Sequence, residues 1–289
     1  MIIFRGGGRL GNQIFQYMFM SNFAKKREVF LTFNFKEFKS FFRTTNHIIN
    51  IEKGILKNFY ISSIEPFMRK LVNKKVISYV IVNPALHDRY TIEGRDYTMR
   101  KGFLPIIFIE EGYFQSEKIF NKRKLRNFAI KKAFHREASS FLCNIPSKYK
   151  KIFVHIRRGD YVSIDHWILG LKDFTLPVKY YRQAFRRIEK KHKNVWYIFL
   201  SDDPDYVKDT FKNIKNKTVS NNNMYIDFAI MTLCDGGIIA NSSFSWWGGY
   251  LCKCSKEDII APKYYLGFKN GFEYPKDILS CFPNQIDIT

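Results

Sequence analysis

The stretch Lys151-Ile152-Phe153-Val154-His155-Ile156-Arg157-Arg158-Gly159-Asp160-Tyr161 decides how the rest of the chain is read. Ile152 to Ile156 is a short apolar run rich in β-branched and aromatic residues, the pattern of a buried strand. It delivers two adjacent arginines and an acid at its carboxyl end, where open α/β sheets bind ligands. Downstream the pattern alternates. Val178 to His192 is an amphipathic basic helix opened by Pro177, and Val195 to Leu200 is a strand ending in Ser201-Asp202-Asp203-Pro204. A short helix is expected after Pro204, a helix over Asp227 to Cys234 and a strand over Gly237 to Ala240. A helix over Phe244 to Cys252 and a strand over Ile259 to Ala261 complete the series. Such alternation predicts a parallel α/β sheet.

Upstream, Ile2 to Arg5 and Val29 to Phe33 are β-rich and flank a helical pattern over Asn12 to Arg27, a βαβ unit that requires parallel pairing. Residues 36 to 105 are basic, aromatic and irregular. Pro105 to Glu110 reads as a strand and Ser116 to Leu142 as mostly helical. The expected organisation is therefore two Rossmann-like α/β domains, 1–150 and 151–289, with the boundary at Pro146 to Lys150. The extreme C-terminus is left free to return to the first domain.

The 289 residues carry 29 Phe, 17 Tyr and 4 Trp, enough to fill a large core and to exclude a disordered chain. Lys and Arg number 48 against 26 Asp and Glu, a net charge of +22. That excess suits polyanionic partners, or is a solvated Lys-rich surface. Residues 1–150 hold 28 basic and 11 acidic side chains and residues 151–289 hold 20 and 15, so the excess belongs to the first half. The five cysteines (143, 234, 252, 254 and 281) show no paired CxxC spacing and are expected to be reduced thiols in or near the core. The six histidines are scattered, so no metal site is expected. MIIFRGGGRL is unlike a signal peptide, and no stretch is long and apolar enough to span a bilayer. A cytoplasmic protein is expected, and the charge excess leaves open peripheral contact with an anionic membrane surface such as the inner face of the plasma membrane.

Four segments carry chemistry. In Gly6-Gly7-Gly8-Arg9-Leu10-Gly11-Asn12-Gln13, the glycines at 6, 8 and 11 match G-x-G-x-x-G between a strand and a helix. The dinucleotide reading also needs an acid at the end of the second strand. That strand ends Phe33-Asn34, with Glu37 three residues beyond. A glycine-rich turn with Gly8, Arg9, Gly11 and Asn12 facing a cleft is the preferred reading. In the second segment, strand alternation sends Arg157 and Arg158 in different directions unless the strand has already ended. One can hold a phosphate through its planar fork while the other holds a carboxylate such as Asp160. In the third, one of Asp202 and Asp203 caps the following helix and the other is open to a functional role. In the fourth, a strand runs through Asn241-Ser242-Ser243 into a helix whose first N–H groups suit an anion, although a serine cap explains the same residues. Trp246 and Trp247 read as core packing.

GGGRLGNQ at 6–13, HIRRGDY at 155–161, SDDP at 201–204 and DFAIMTLCDGGIIANSSFSWWG at 227–248, in this order, resemble the bacterial and animal α-1,2-fucosyltransferases of glycosyltransferase family 11. The resemblance implies a GT-B architecture, donor on the C-terminal domain and acceptor mainly on the N-terminal one across a central cleft. It implies GDP-fucose as co-substrate, inversion at the anomeric carbon, and neither cofactor nor metal. It also implies that Arg158 contacts the β-phosphate and that His155 and one of Asp202 and Asp203 lie near the guanosine, with Ser242 and Ser243 near the pyrophosphate. Arg157 and Asn241 complete the donor set, and Asn12 faces the reacting sugar. The implied acceptor is the 2-hydroxyl of a galactose in a surface glycan such as an O-antigen, assembled on a lipid carrier. The catalytic base stays open between Asp160, Asp165, His166 and none; Asp165 has the spacing from Arg158 at which related α-1,6-fucosyltransferases place a carboxylate. Other readings are a fucosyltransferase of another linkage, a basic nucleic-acid-binding protein, suggested by the helix at 178–193, and a nicotinamide-dependent oxidoreductase.

Overall fold

The computed structural model describes residues 1–52, 59–82, 97–163 and 169–289. The chain divides into two compact units, Met1–Lys131 and Lys132–Thr289.

The first unit is built on strands β1 (Ile2–Arg5), β2 (Val29–Phe33), β4 (His47–Ile51), β5 (Ile77–Val82), β6 (Tyr97–Arg100) and β7 (Leu104–Ile109). They form one sheet in the order β4-β2-β1-β7-β5-β6, parallel except for β6, which runs antiparallel to β5. Helices α1 (Leu10–Ser21), α2 (Lys36–Phe41) and α3 (Glu65–Asn73) accompany it. A separate antiparallel pair joins β3 (Phe42–Thr44) to β8 (Phe128–Ile130). Helix α1 is buried almost all round, which explains its lack of charge. Its Phe19 ring stacks on Phe114 at 3.9 Å and its Tyr17 ring on Phe38 at 4.5 Å.

The second unit holds α4 (Lys132–Cys143), β9 (Lys150–Ile156), α5 (Val178–Lys191), β10 (Val195–Ser201), α6 (Pro204–Thr210) and β11 (Lys217–Val219). It continues through α7 (Met224–Leu233), β12 (Gly236–Ile238), α8 (Ser243–Leu251), β13 (Ile259–Pro262) and β14 (Asn284–Ile286). The six strands are all parallel, in the order β11-β10-β9-β12-β13-β14. Counted along this unit the order is 3-2-1-4-5-6, the doubly wound arrangement that opens a crevice where the winding reverses. That point lies between the carboxyl ends of β9 and β12. The apolar stripe of α5 (Tyr180, Tyr181, Ala184, Phe185 and Ile188) is buried, and its basic face is turned outward, with Arg187 donating to Asn284 Oδ1 at 2.7 Å.

Four expectations are corrected. The division falls at Lys131/Lys132 and not at 146–150, because α4 packs with the second unit, where its Phe134 ring meets Tyr225 of α7 at 5.3 Å. The split leaves 24 basic and 10 acidic side chains in the first unit and 24 and 16 in the second. Residues 116–142 are not one helical region. Tight 3-10 turns at Glu117–Ile119 and Lys122–Asn127 and strand β8 precede α4. The turns are capped by Ser116 and Asn121, whose side chains accept the N–H groups of Lys118 and Arg123. The extreme C-terminus adds β14 to the second unit's own sheet. Finally, all five cysteines are free and Cys234 and Cys252 are buried, but Cys143 is exposed.

Candidate active site at the switch point of the second sheet

β9 and β10 pair along their full length, which sets His155 opposite Leu200 and Ile156 opposite Ser201. The loops that leave their carboxyl ends therefore meet. Arg157 pairs with Asp202 Oδ2 at 2.5 Å and also with Asp160. β9 ends at Ile156, so the two arginines lie in the loop beyond it and strand alternation does not direct them; Arg158 takes a different acid. Its Nε donates to Asp203 Oδ2 at 2.9 Å, and its guanidinium lies 3.7 Å from the centre of the Tyr206 ring. The Arg158 backbone N–H donates to Asp202 Oδ1 at 2.8 Å. Asp203 also caps α6 by accepting the Tyr206 N–H at 3.1 Å. Both acids of the third motif are thus engaged by arginines. Asp203 is the cap that the sequence expected of one of the pair, and it also holds Arg158. Gly159 sits so close that a Cβ there would lie 2.5 Å from Asp202 Oδ2. The Nε bond and the Tyr206 ring hold the Arg158 guanidinium, a planar fork of parallel donors that suits a phosphate.

Across the switch point, β12 leads into Ala240-Asn241-Ser242 and then α8. Ser242 occupies the N-cap position but makes no side-chain capping bond. The plainer reading of the serines as a cap therefore fails, and the helix N-terminus retains its anion-binding character. Ser245 is buried and accepts the Ala240 N–H at 3.1 Å, which shapes the turn. Trp246 and Trp247 are fully buried, as expected of core residues. Tyr161 donates its hydroxyl to the Asn241 carbonyl at 3.1 Å and so joins the two loops.

Two buried polar atoms at this crevice have no hydrogen-bond partner, His155 Nδ1 and Asn241 Oδ1. Asn241 spends its Nδ2 on the Phe174 carbonyl at 2.9 Å. Burial, reinforced by the Arg157 charge, pushes the His155 imidazole down to about 3, so it is neutral at physiological pH. Unpaired buried polar atoms are costly, and these two sit at the carboxyl ends of β9 and β12, where a doubly wound sheet opens its crevice.

The fourth motif opens on Asp227, to which the sequence assigned no role. The His155 ring packs against Phe244 and Phe244 against Phe228, each at 5.4 Å, so the first turn of α7 adjoins the crevice. Asp227, the residue before Phe228, is buried, accepts from Ser220 Oγ at 2.6 Å, and is pushed by burial up to about 7. In sequence it reads as an ordinary acid in a helix's first turn. Asp165 and His166 lie outside the described residues, and Asp160 is held by Arg157. Among the described residues no group of three His, Cys, Asp or Glu is placed to hold a metal ion.

The glycine turn of the first unit is filled by its own side chains. Gly8 has φ +71°, and a Cβ there would lie 2.2 Å from Asn12 Nδ2. The Gly7 N–H donates to Gln16 Oε1 at 3.3 Å, and Gln16 Nε2 donates back to the Gly7 carbonyl. Gln13 bonds Glu37, the nearest acid to the end of β2. An amide and an acid that a dinucleotide would need are thus already engaged, which argues against the nicotinamide reading. Asn12 accepts from Gln115 Nε2 at 2.7 Å, Gly11 is buried, and Arg9 is exposed at the start of α1.

The profile of glycosyl transferase family 11 matches residues 2–266. An Escherichia coli protein described as the O-antigen biosynthesis glycosyltransferase WbnK is 35% identical over 148 residues, 47% of this chain and 48% of that one, so the match spans about half of that relative. An Escherichia coli alpha-1,2-colitosyltransferase is 28% identical over 91% of both chains. A cattle galactoside 2-alpha-L-fucosyltransferase is 26% identical over 44% of this chain and 36% of its own. Among solved structures, the fucosyltransferase NodZ from Bradyrhizobium aligns with a TM-score of 0.52 at 11% identity, covering 87% of this chain and 93% of its own. POFUT1 in complex with GDP aligns with a TM-score of 0.52 at 14% identity, covering 88% and 95%. The likeness shows the GT-B fold.

Proposed function

The chain belongs to glycosyl transferase family 11, and on that premise we propose that it transfers L-fucose from GDP-fucose to the 2-hydroxyl of a galactose in a surface glycan, with inversion and without a metal. The observation that carries this reading is the pairing of an oriented Arg158 with the uncapped start of α8 on opposite sides of one switch point. As the sugar–phosphate bond breaks, negative charge grows on the β-phosphate. Arg158 and the N–H groups at Ser242 and Ser243 are fixed donors for that charge, so they bind the transition state more strongly than the ground state. This does the work that a cation does in metal-dependent transferases. Asp202 and Asp203 hold the two arginines, and neutral His155 and Asn241 offer their unpaired acceptors to the nucleotide. On this reading Asn12 faces the reacting sugar. The acceptor hydroxyl attacks C1 and GDP leaves in a single displacement, with Asp160, Asp165, His166 or no residue taking the proton. The similarity to an O-antigen biosynthesis glycosyltransferase supports a glycan acceptor.

The full-length similarity to a colitosyltransferase favours one second reading, a GDP-linked 3-deoxy analogue of fucose as donor. Thermal shift with GDP and GDP-fucose, with and without EDTA, tests the main reading. Stabilisation by both that survives EDTA is expected; stabilisation by NAD(P) and not by GDP would overturn it. A higher kcat/KM for GDP-colitose than for GDP-fucose would select the second reading.

A further inference from the structure

In a parallel sheet all strands begin at one edge, so the segments that precede them share a surface. In the first unit these segments are residues 25–28 before β2, 74–76 before β5 and 100–104 between β6 and β7. The 3-10 turn Lys122–Asn127 joins them. Hydrogen bonds run across the whole group. Phe103 N–H donates to the Lys75 carbonyl at 3.0 Å and Leu104 N–H to the Val76 carbonyl at 2.7 Å. The Met1 amine donates to the Pro105 carbonyl at 3.0 Å and binds Glu28. Asn46 donates to the carbonyls of Lys25 and Glu28, and Lys124 donates to that of Ala24 at 3.1 Å.

The four segments contain eleven Lys and Arg and a single acid, Glu28, which is engaged by the Met1 amine. In their midst Phe103 is 90% exposed, with Leu104 and Met1 also exposed beside it. A lone exposed apolar residue is ordinary. A nearly bare phenylalanine at a turn tip, on an edge where Lys122 pairs with Glu117 but cations far outnumber acids, fits a surface that is anionic outside and apolar within. Nucleic acid would satisfy the charge but gives no reason for an outward aliphatic pair beside the ring.

We propose that this amino edge of the first sheet is a docking surface for an anionic lipid bilayer, with the basic segments on the headgroups and Phe103 and Leu104 inserted between them. The glycine turn leaves the opposite, carboxyl end of β1, so docking leaves that end free. The proposal does not depend on which sugar is transferred.

The test is co-sedimentation of the full chain with phosphatidylglycerol/phosphatidylcholine vesicles and with pure phosphatidylcholine vesicles. Binding to the anionic vesicles that weakens with salt is expected, with little binding to the neutral ones. Lys75→Glu with Lys101→Glu should lower vesicle affinity about tenfold or more. The same number of reversals on the outer face of α5, Arg182→Glu with Arg186→Glu, should lower it far less. Phe103→Ser should weaken binding, and Phe103→Trp should show a blue-shifted emission on anionic vesicles. GDP-induced stabilisation should be unchanged in every variant, which separates this claim from the donor site. Equal losses from the two charge-reversal pairs, an unshifted emission from the Phe103→Trp variant, or tighter binding to nonspecific duplex DNA than to vesicles at equal phosphate would overturn it.

Discussion

Tyr161 donates its hydroxyl to the backbone carbonyl of Asn241 at 3.1 Å, across the point where the second sheet reverses its winding. The bond ties the loop carrying the arginines to the turn before α8. Tyr161→Phe removes one hydrogen bond and leaves the ring over Arg157. It should cost about 1 kcal/mol of stability and raise the KM for the GDP-sugar with a smaller effect on kcat. Thermal melts and donor titrations check this.

Arg158 is held at Nε by Asp203, so its role depends on that partner. Arg158→Ala should lower kcat by about 10²–10³, and Arg158→Lys should recover little, because an ammonium cannot reproduce the fork. Asp203→Asn keeps an acceptor for the Tyr206 N–H, whereas Asp203→Ala loses the cap and about 1 kcal/mol of stability. Both should lower kcat severalfold. A drop in kcat for Asp203→Asn without a change in Tm separates positioning of Arg158 from a purely structural role.

Gly159→Ala places a Cβ 2.5 Å from Asp202 Oδ2. The carboxylate must move off the Arg158 N–H and the Arg157 guanidinium. A loss of about 1–3 kcal/mol and a higher donor KM are expected, read by denaturant melts and initial rates.

His155 and Asp227 give stability opposite dependences on pH. The unfolded chain protonates His155 near 6.5 and the folded chain only near about 3, so this residue makes stability fall as pH drops through that window. The folded chain keeps the Asp227 proton up to about 7, whereas the unfolded chain loses it near 3.8, so this residue makes stability fall as pH rises between the two values. Asp227→Asn should therefore gain stability relative to the parent from pH 4 to pH 8. His155→Gln should gain relative to the parent as pH falls below 6.5. Melts of the three proteins across this range check both signs.

The second unit was largely legible in the sequence because its strands are short, buried on both faces and almost wholly apolar, as Phe153-Val154 and Ile198-Phe199-Leu200 show. Pro177 and Pro204 marked two helix starts, and both helices begin there. The stretch 116–142 was misread because the basic run Lys122-Arg123-Lys124-Leu125-Arg126 satisfies a helical pattern. Its backbone is instead held in tight turns by the Asn121 cap, and β8 pairs with the distant β3. The three-residue edge strands β11 and β14 carry too little pattern to register. The four motifs located the crevice, but not its wiring. No spacing reveals that Arg158 pairs with Asp203, 45 residues on, or that Phe244 packs between His155 and Phe228.

The most direct test of the account is transfer of labelled fucose from GDP-fucose to a β-galactoside in EDTA, by the parent and by folded Arg158→Ala. The account predicts an α-1,2-linked product from the parent in EDTA and a loss of turnover of about 10²–10³ in the variant. A variant with near-parental kcat, or a parent that needs added divalent metal, would contradict it.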